Sequence, residues 1–191
     1  MNSAKWRLIS MVLAAAAAGA PSAQAASVTL DFDSVLSGSG LLGGPLATSL
    51  GMISAVNASG IFSGGPTGNG LHHSETSNPG FARINFGFDA ISIRFDFNGY
   101  GGGVFTGEAL DAADNVVDTF FVGSTSCAFT CFDGTGITLS GHGIRAFRFA
   151  DAPGGSAQSY VDNITITVPE PTSVALVGLA LLALGLSRRK A

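Results

Sequence analysis

The sequence predicts an all-β body, a two-sheet β-sandwich of jelly-roll type, carried between two terminal segments of different character. Three observations predict it. Apolar and polar residues alternate at period two over several stretches, the mark of half-buried strands. All 14 Phe and 24 of the 27 Gly fall between residues 26 and 168, too many Phe for a disordered chain and too much Gly for a helical bundle. No segment of that region shows a long apolar pattern at helical spacing.

The strands follow in order. Val28, Leu30 and Phe32 alternate with Thr29 and Asp31 and form the first. Ser34 to Gly80 is rich in Gly, Ser, Asn and Pro and reads as long loops around one or two strands, with Met52 to Val56 the clearest. Ile84, Phe86 and Phe88, then Ile91, Ile93, Phe95 and Phe97, make two alternating runs. Phe88-Asp89-Ala90 is either a link between two strands or a bend in a longer one. Further strands are expected at Gly103 to Leu110, Val116 to Val122, Ile137 to Leu139, Ile144 to Phe149 and Tyr160 to Val168. Asp111 to Asn115 forms a hairpin turn between the first two of these. Inward Phe side chains fill the space between sheets, each contributing about 1.5–3 kcal/mol over exposure.

The two ends read as addresses. Lys5 and Arg7, the apolar run Leu8 to Ala18, and Ala23-Gln24-Ala25 have the three-part form of a secretory signal peptide over 1–25, with cleavage expected after Ala25. The alternative is an uncleaved anchor, for which the apolar run is short. At the other end, Val168-Pro169-Glu170-Pro171 is followed by fifteen uncharged residues, Thr172 to Leu186, and then Ser187-Arg188-Arg189-Lys190-Ala191. A fifteen-residue helix spans about 22 Å, somewhat under the hydrocarbon core of about 30 Å. Local thinning and snorkelling of the basic cluster close that gap, and the basic end is expected to stay cytoplasmic. The body is thus expected at 26–167 and a transmembrane helix at 172–186.

Pro169, Glu170 and Pro171, the apolar segment and the closing Arg188, Arg189 and Lys190 together resemble the PEP-CTERM sorting signal of Gram-negative bacteria. The resemblance covers residues 168–191. It implies export across the inner membrane and processing by exosortase, a membrane transpeptidase-like protease, near the motif. It also implies a final place at the cell surface or in an exopolysaccharide and biofilm matrix. It implies no activity for the body. Tyr160-Val161-Asp162-Asn163-Ile164 is also common in the last strand of such proteins' β domains.

Charge narrows the partners. Five of the nine Lys+Arg sit at the extreme ends, and the body keeps only Arg83, Arg94, Arg145 and Arg148 against twelve acids, a formal charge of −8. That leaves no phosphate-binding stripe and excludes nucleic acid as a natural partner. Cys127 and Cys131, the only cysteines, are expected to form a disulfide in an exported chain; a redox or metal pair with His142 is the alternative. His72 and His73 are adjacent; on a strand they would point to opposite faces, and in a loop with Glu75 a zinc site is conceivable, but a polar loop in a Gly-rich segment is the favoured reading. No Ser-His-Asp order, HExxH helix or phosphate loop is visible, and a non-enzymatic role follows.

Asp31 and Asp33 lie two apart on the first strand, and Asp162-Asn163 lies in the last. If those strands pair, their oxygen donors come together, toward the six to eight hard oxygen ligands that Ca²⁺ takes. Many jelly-roll carbohydrate-binding domains resemble this layout, with a structural calcium there; solvated strand-end acids are the simpler account. Tyr100, in Asn98-Gly99-Tyr100-Gly101-Gly102-Gly103, is the one exposed ring expected to stack on a sugar. Two functions therefore compete: a sorted surface or matrix protein without activity, and a module binding exopolysaccharide.

Overall fold

The computed structural model describes residues 25–33, 45–58, 60–65, 68–74, 80–100, 104–125, 132–151 and 158–170. Ala23, Cys127, Cys131, Glu75, Pro171, the apolar segment 172–186 and Arg188, Arg189 and Lys190 lie outside the described residues. The chain divides into two units, Ala26–Pro169 and the two terminal segments Met1–Ala25 with Glu170–Ala191. Among the described residues no helix is long and apolar enough to cross a membrane.

The body is all-β and antiparallel. Among the described residues its ten strands are β1 (Ala26–Leu30), β2 (Leu46–Thr48), β3 (Gly51–Val56), β4 (Gly60–Gly65), β5 (Gly68–Ser74), β6 (Ala82–Tyr100), β7 (Phe105–Leu110), β8 (Val116–Val122), β9 (Gly134–Asp151) and β10 (Gln158–Val168). Hydrogen bonding joins them in one sheet of order β4-β5-β10-β6-β9-β7-β8, with β1 added to β10 and the β2–β3 hairpin added to β6. The expected two sheets are thus two halves of a single sheet.

The long strands make the fold. Ile84 of β6 lies opposite Phe147 of β9, and Phe95 is eleven residues further along β6, about 36 Å on a straight strand. Yet the rings of Phe95 and Phe147 are 4.7 Å apart, so the β6–β9 ribbon folds back on itself. The bend falls where the register slips, between Asn85 and Ala90 and between Ala90 and Ser92. On β9 the same corner carries Gly143 with φ 68°, a conformation open to glycine without Cβ strain. Phe88-Asp89-Ala90 is therefore the bend in a longer strand. The expected strands at Ile137 to Leu139 and Ile144 to Phe149 are one strand, because the corner bends the ladder without ending it.

Folding the ribbon brings Phe95 and Phe97 of β6 onto Phe105 of β7, Phe120 of β8 and Phe147 of β9. Phe105 in turn stacks on Phe149. All but the partly buried Phe120 are fully buried. The hairpin turn is as expected: Asp111 accepts the backbone N–H groups of Ala113 and Asn115 at 2.8 and 2.9 Å, and Asp114 takes φ 63°.

Two expectations are corrected. β1 stops at Leu30; Asp31 and Asp33 sit in a turn, where the Asp33 N–H donates to Asp31 Oδ1 at 3.0 Å. That local bond competes with continuation of the ladder. The stretch Ser34 to Gly80 holds four strands, not one or two. Its glycines serve close packing: a Cβ on Gly70 would lie 3.2 Å from the Val161 carbonyl oxygen and 3.6 Å from Tyr160 Cβ.

Candidate functional site

β10 passes between β5 and β6 with the register His72–Tyr160–Asn98. Residues directly opposite in an antiparallel ladder share a face. Leu71, Val161 and Phe97 therefore lie on the core face, and His72, Tyr160 and Asn98 form a row on the opposite face. Asp162 and Asp96 form the next row. A face turned away from the core normally meets solvent, but here Asn98 is 0%, Asp162 2%, Tyr160 4%, His72 7% and Asp96 8% exposed. His72 and His73 are thus buried on opposite faces of β5, which corrects their reading as a polar loop. His73 meets the edge of Phe149 in the core, with ring centroids 6.3 Å apart.

Within the row the His72 and Tyr160 rings lie 4.6 Å apart, and both reach Gln158 Oε1 at 3.3 Å. Burial holds the His72 imidazole below its usual pKa, opposed by the Gln158 bond. The Asn98 carboxamide is different: neither its oxygen nor its nitrogen has a hydrogen-bond partner. A buried polar group left unpaired costs about 1–3 kcal/mol.

β10 breaks at Asp162–Asn163. The register to β6 slips between Asp162 and Thr165, and Asn163 takes φ 51°. On one side of this bulge β10 pairs with β5, and on the other with β1, from Leu30–Ile164 to Ala26–Val168. The bulge is held by carboxylates. Asp162 Oδ1 accepts the Asn163 N–H at 2.7 Å, and the Phe32 N–H also donates to Asp162. Asp96 accepts the Gly136 N–H at 2.6 Å and the Asn163 side-chain amide at 3.0 Å. Asp33 Oδ1 accepts the Asn69 N–H at 2.5 Å. The first and last strands do pair, then, and the acids expected to meet there act as clasps on backbone N–H groups. Among the described residues no three His, Cys, Asp or Glu form a metal-ligating group.

Burial raises the Asp162 pKa above 3.8, against the two backbone N–H donors, and the charges of Asp33 and Asp31 add to the rise. A carboxyl with a raised folded pKa binds its proton more tightly in the folded protein. Its stabilising effect is complete below 3.8 and is lost as pH rises through the folded value. Asp162→Asn should therefore raise the melting temperature at pH 7 by a few degrees, and the gain should vanish below pH 3.8. Thermal melts across that range check it; an unchanged or lower melting temperature at pH 7 refutes it.

Among the described residues Arg83 pairs with Asp114 and Arg145 with Asp89 at the surface, and Arg148 pairs with the part-buried Glu108. Arg148 also covers the Phe81 ring at 4.5 Å. These pairs leave no basic stripe among the described residues. Tyr100 ends β6 at the register position opposite Gln158. Sequence reasoning missed Asn98, Asp96 and Gln158, because polar residues alternating with core Phe and Val look like ordinary solvated positions.

β10 leads directly into the C-terminal segment: Thr167 pairs with Ser27 and Ser92, Val168 with Ala26, and Pro169 is exposed. Residues 167–190 match the family model of the PEP-CTERM protein-sorting motif. The chain carries a PEP-CTERM sorting motif. The PEP-CTERM match marks an exported protein sorted through its C-terminus, and its first two residues are the last two of β10. Among curated proteins none matches the chain.

Among solved structures, the chain is similar to a variant of the family 29 carbohydrate-binding module CBM29-2, at 16% identity and TM-score 0.41, covering 75% of this chain and 92% of that one. It is also similar to the K2 cleaved adhesin domain of Lys-gingipain, at 13% identity and TM-score 0.45, covering 75% and 100%. The K3 cleaved adhesin domain of Lys-gingipain from Porphyromonas gingivalis is a third, at 12% and 0.41, covering 75% and 100%.

Proposed function

We propose that this is a non-enzymatic exported protein whose body, a jelly-roll-like sandwich, is delivered to the cell surface or extracellular matrix by its C-terminal signal. The observation that carries the reading is the junction. The last strand, held between β1 and β6, runs into the sorting motif without a spacer. Its partner is an exosortase-type protease of the inner membrane, acting on Pro169-Glu170-Pro171, with the segment 172–186 as a temporary anchor. Signal cleavage after Ala25 fits the start of β1 at Ala26.

Intact-mass measurement of the surface protein tests this. The wild type should lack its N-terminal leader and its Arg188-Arg189-Lys190 end. Replacing Pro169, Glu170 and Pro171 by Ala should leave most of the protein uncleaved in the membrane fraction. Surface protein that retains the basic end overturns the reading.

A second reading, binding of exopolysaccharide, is favoured by the buried polar face of β5, β10 and β6. Tyr100, the residue expected to stack on a sugar, is the register partner of Gln158 at the end of β6. A structural calcium at Asp31, Asp33, Asp162 and Asn163 accompanies this reading. Its support is that Asp31 and Asp33 lie near enough to raise the Asp162 pKa. In the melts described above, millimolar Ca²⁺ should then stabilise the wild type and leave Asp162→Asn unmoved. No shift in the wild type removes the calcium.

A further inference from the structure

Beyond Asp96 and Asp162 the outer face of β6 and β10 comes into the open, and its chemistry changes. Thr29 of β1, Thr165 of β10, Arg94 of β6 and Thr138 of β9 stand opposite one another in a row across four strands. Two residues along each strand, Ser27, Thr167, Ser92 and Ser140 form a second row. The residues between the rows, among them Ile166, Ile93 and Leu139, are buried in the core, so both rows face outward. Every member of the two rows is exposed or half-buried.

Seven short hydroxyls and one guanidinium are an unusual cover for a solvated sheet. Thr suits a strand by itself, but Ser is not among the residues that strands enrich. The outer face of the other half of the sheet shows the ordinary solution. Its row Val56–Arg83–Arg148–Glu108–Thr119, from β3 to β8, carries three charges, and each of them is ion-paired. Solubility therefore does not by itself call for the hydroxyls.

The hydroxyls remain available to a partner. Thr29 and Thr165 share one hydrogen bond of 2.9 Å, and Thr138 Oγ1 donates to the Gly136 carbonyl at 3.4 Å. A hydroxyl donates once and accepts twice, so each keeps capacity. Short side chains also have little rotamer freedom to lose when a partner lands on them. Arg94 is exposed, and among the described residues no ion pair holds it. It lies over Gly136, where a Cβ would fall 2.8 Å from Nη2.

The layout selects the ligand. Neighbouring strands stand about 4.8 Å apart and facing residues along a strand about 6.7 Å, so the hydroxyls repeat on a grid. A small molecule covers one corner of it; a polymer of like units can follow it. The partner must both donate and accept hydrogen bonds. It must also carry little negative charge, because Asp31 follows Thr29 at one margin and Asp118 holds the Ser140 N–H at the other. A second copy of the chain would find no large apolar side chain in either row from which to build the core of an interface.

We propose that these two rows are the landing face for an extended neutral polysaccharide, which lies across the four strands while Arg94 donates to its oxygens. This rests on the exopolysaccharide-binding reading and gives it an open surface.

Affinity electrophoresis of the mature full-length protein tests the assignment, in gels holding a soluble β-glucan, mannan, xylan or dextran, or the acidic alginate or polygalacturonate. The wild type should be retarded by at least one neutral polymer and little by the acidic ones. Ser92→Gln with Thr167→Gln, which raises two bulky neutral side chains from the face, should weaken binding at least tenfold. Arg94→Ala should weaken it at least threefold with an unchanged melting temperature, and Thr119→Gln, on the outer face of the other half, should bind like the wild type. If the double variant fails to fold, Arg94→Ala decides alone. Retardation that neither the double variant nor Arg94→Ala alters overturns the inference while the sugar-binding reading stands. Retardation by the acidic polymers alone overturns the neutral class. A wild-type dimer that the double variant dissociates, seen by sedimentation, makes the face a contact between copies and also overturns it. If no polymer retards the wild type, the sugar-binding reading itself fails.

Discussion

Phe95→Asp should abolish folding of the body. Phe95 is fully buried and its ring meets those of Phe97, Phe105, Phe120 and Phe147. It stands on one half of the folded sheet and touches the other, so its loss opens the contact that closes the sandwich. Truncating a buried Phe costs about 3–5 kcal/mol through lost transfer energy and the cavity left behind. A carboxylate at the same point adds the desolvation of a charge among apolar rings. Against a total stability of about 5–15 kcal/mol, little remains. Circular dichroism should show no cooperative thermal transition, and limited proteolysis should digest the body. A variant that still melts cooperatively would mean that the Phe cluster does not hold the halves together. Phe95→Leu, which keeps an apolar side chain, should fold with reduced stability.

Gly99→Ala should destabilise the body through a clash at its core face. A Cβ placed on Gly99 would fall 2.4 Å from Thr125 Cγ2, 2.5 Å from Oγ1 and 2.7 Å from Cβ. Thr125 is itself 1% exposed, so the clash cannot relax outward. Gly99 is also pinned from its backbone, whose N–H donates to Asp133 Oδ2 at 2.9 Å. Overpacking of this kind costs about 1–3 kcal/mol. Thr125→Gly alone should destabilise as well. The double variant should be less destabilised than the two effects combined, by about 0.5–3 kcal/mol. Denaturant melts of the four proteins measure that coupling; strict additivity would show that Thr125 is not the obstacle.

What could be read from the sequence was what depends on near neighbours. The alternation of Ile84, Phe86, Ile93, Phe95 and Phe97 with polar residues marks strand and inward face together, and Asp111 to Asn115 carries its own turn chemistry. The sorting motif is linear and needs no fold to be seen. The folding of the β6–β9 ribbon was hidden, because it depends on unequal numbers of residues between matched pairs on two strands. β4 and β5 were hidden behind their glycines. Glycine disfavours a strand by itself, and only the approach of β10 to Gly70 explains it there. The buried row of His72, Tyr160 and Asn98 draws one residue from each of three strands. No spacing in one dimension marks it.

The pairing of Ala26 with Val168 has a mechanical consequence. Any pull applied to the C-terminal segment enters the body at Val168 and runs along β10. That strand is an interior one, with β6 on one flank and first β1, then β5, on the other. A pull along its axis loads the hydrogen bonds of both flanking ladders in shear, all at once. It does not unzip them one by one from a free edge. The C-terminal segment thus leaves the body from the part of the sheet best placed to resist being drawn out.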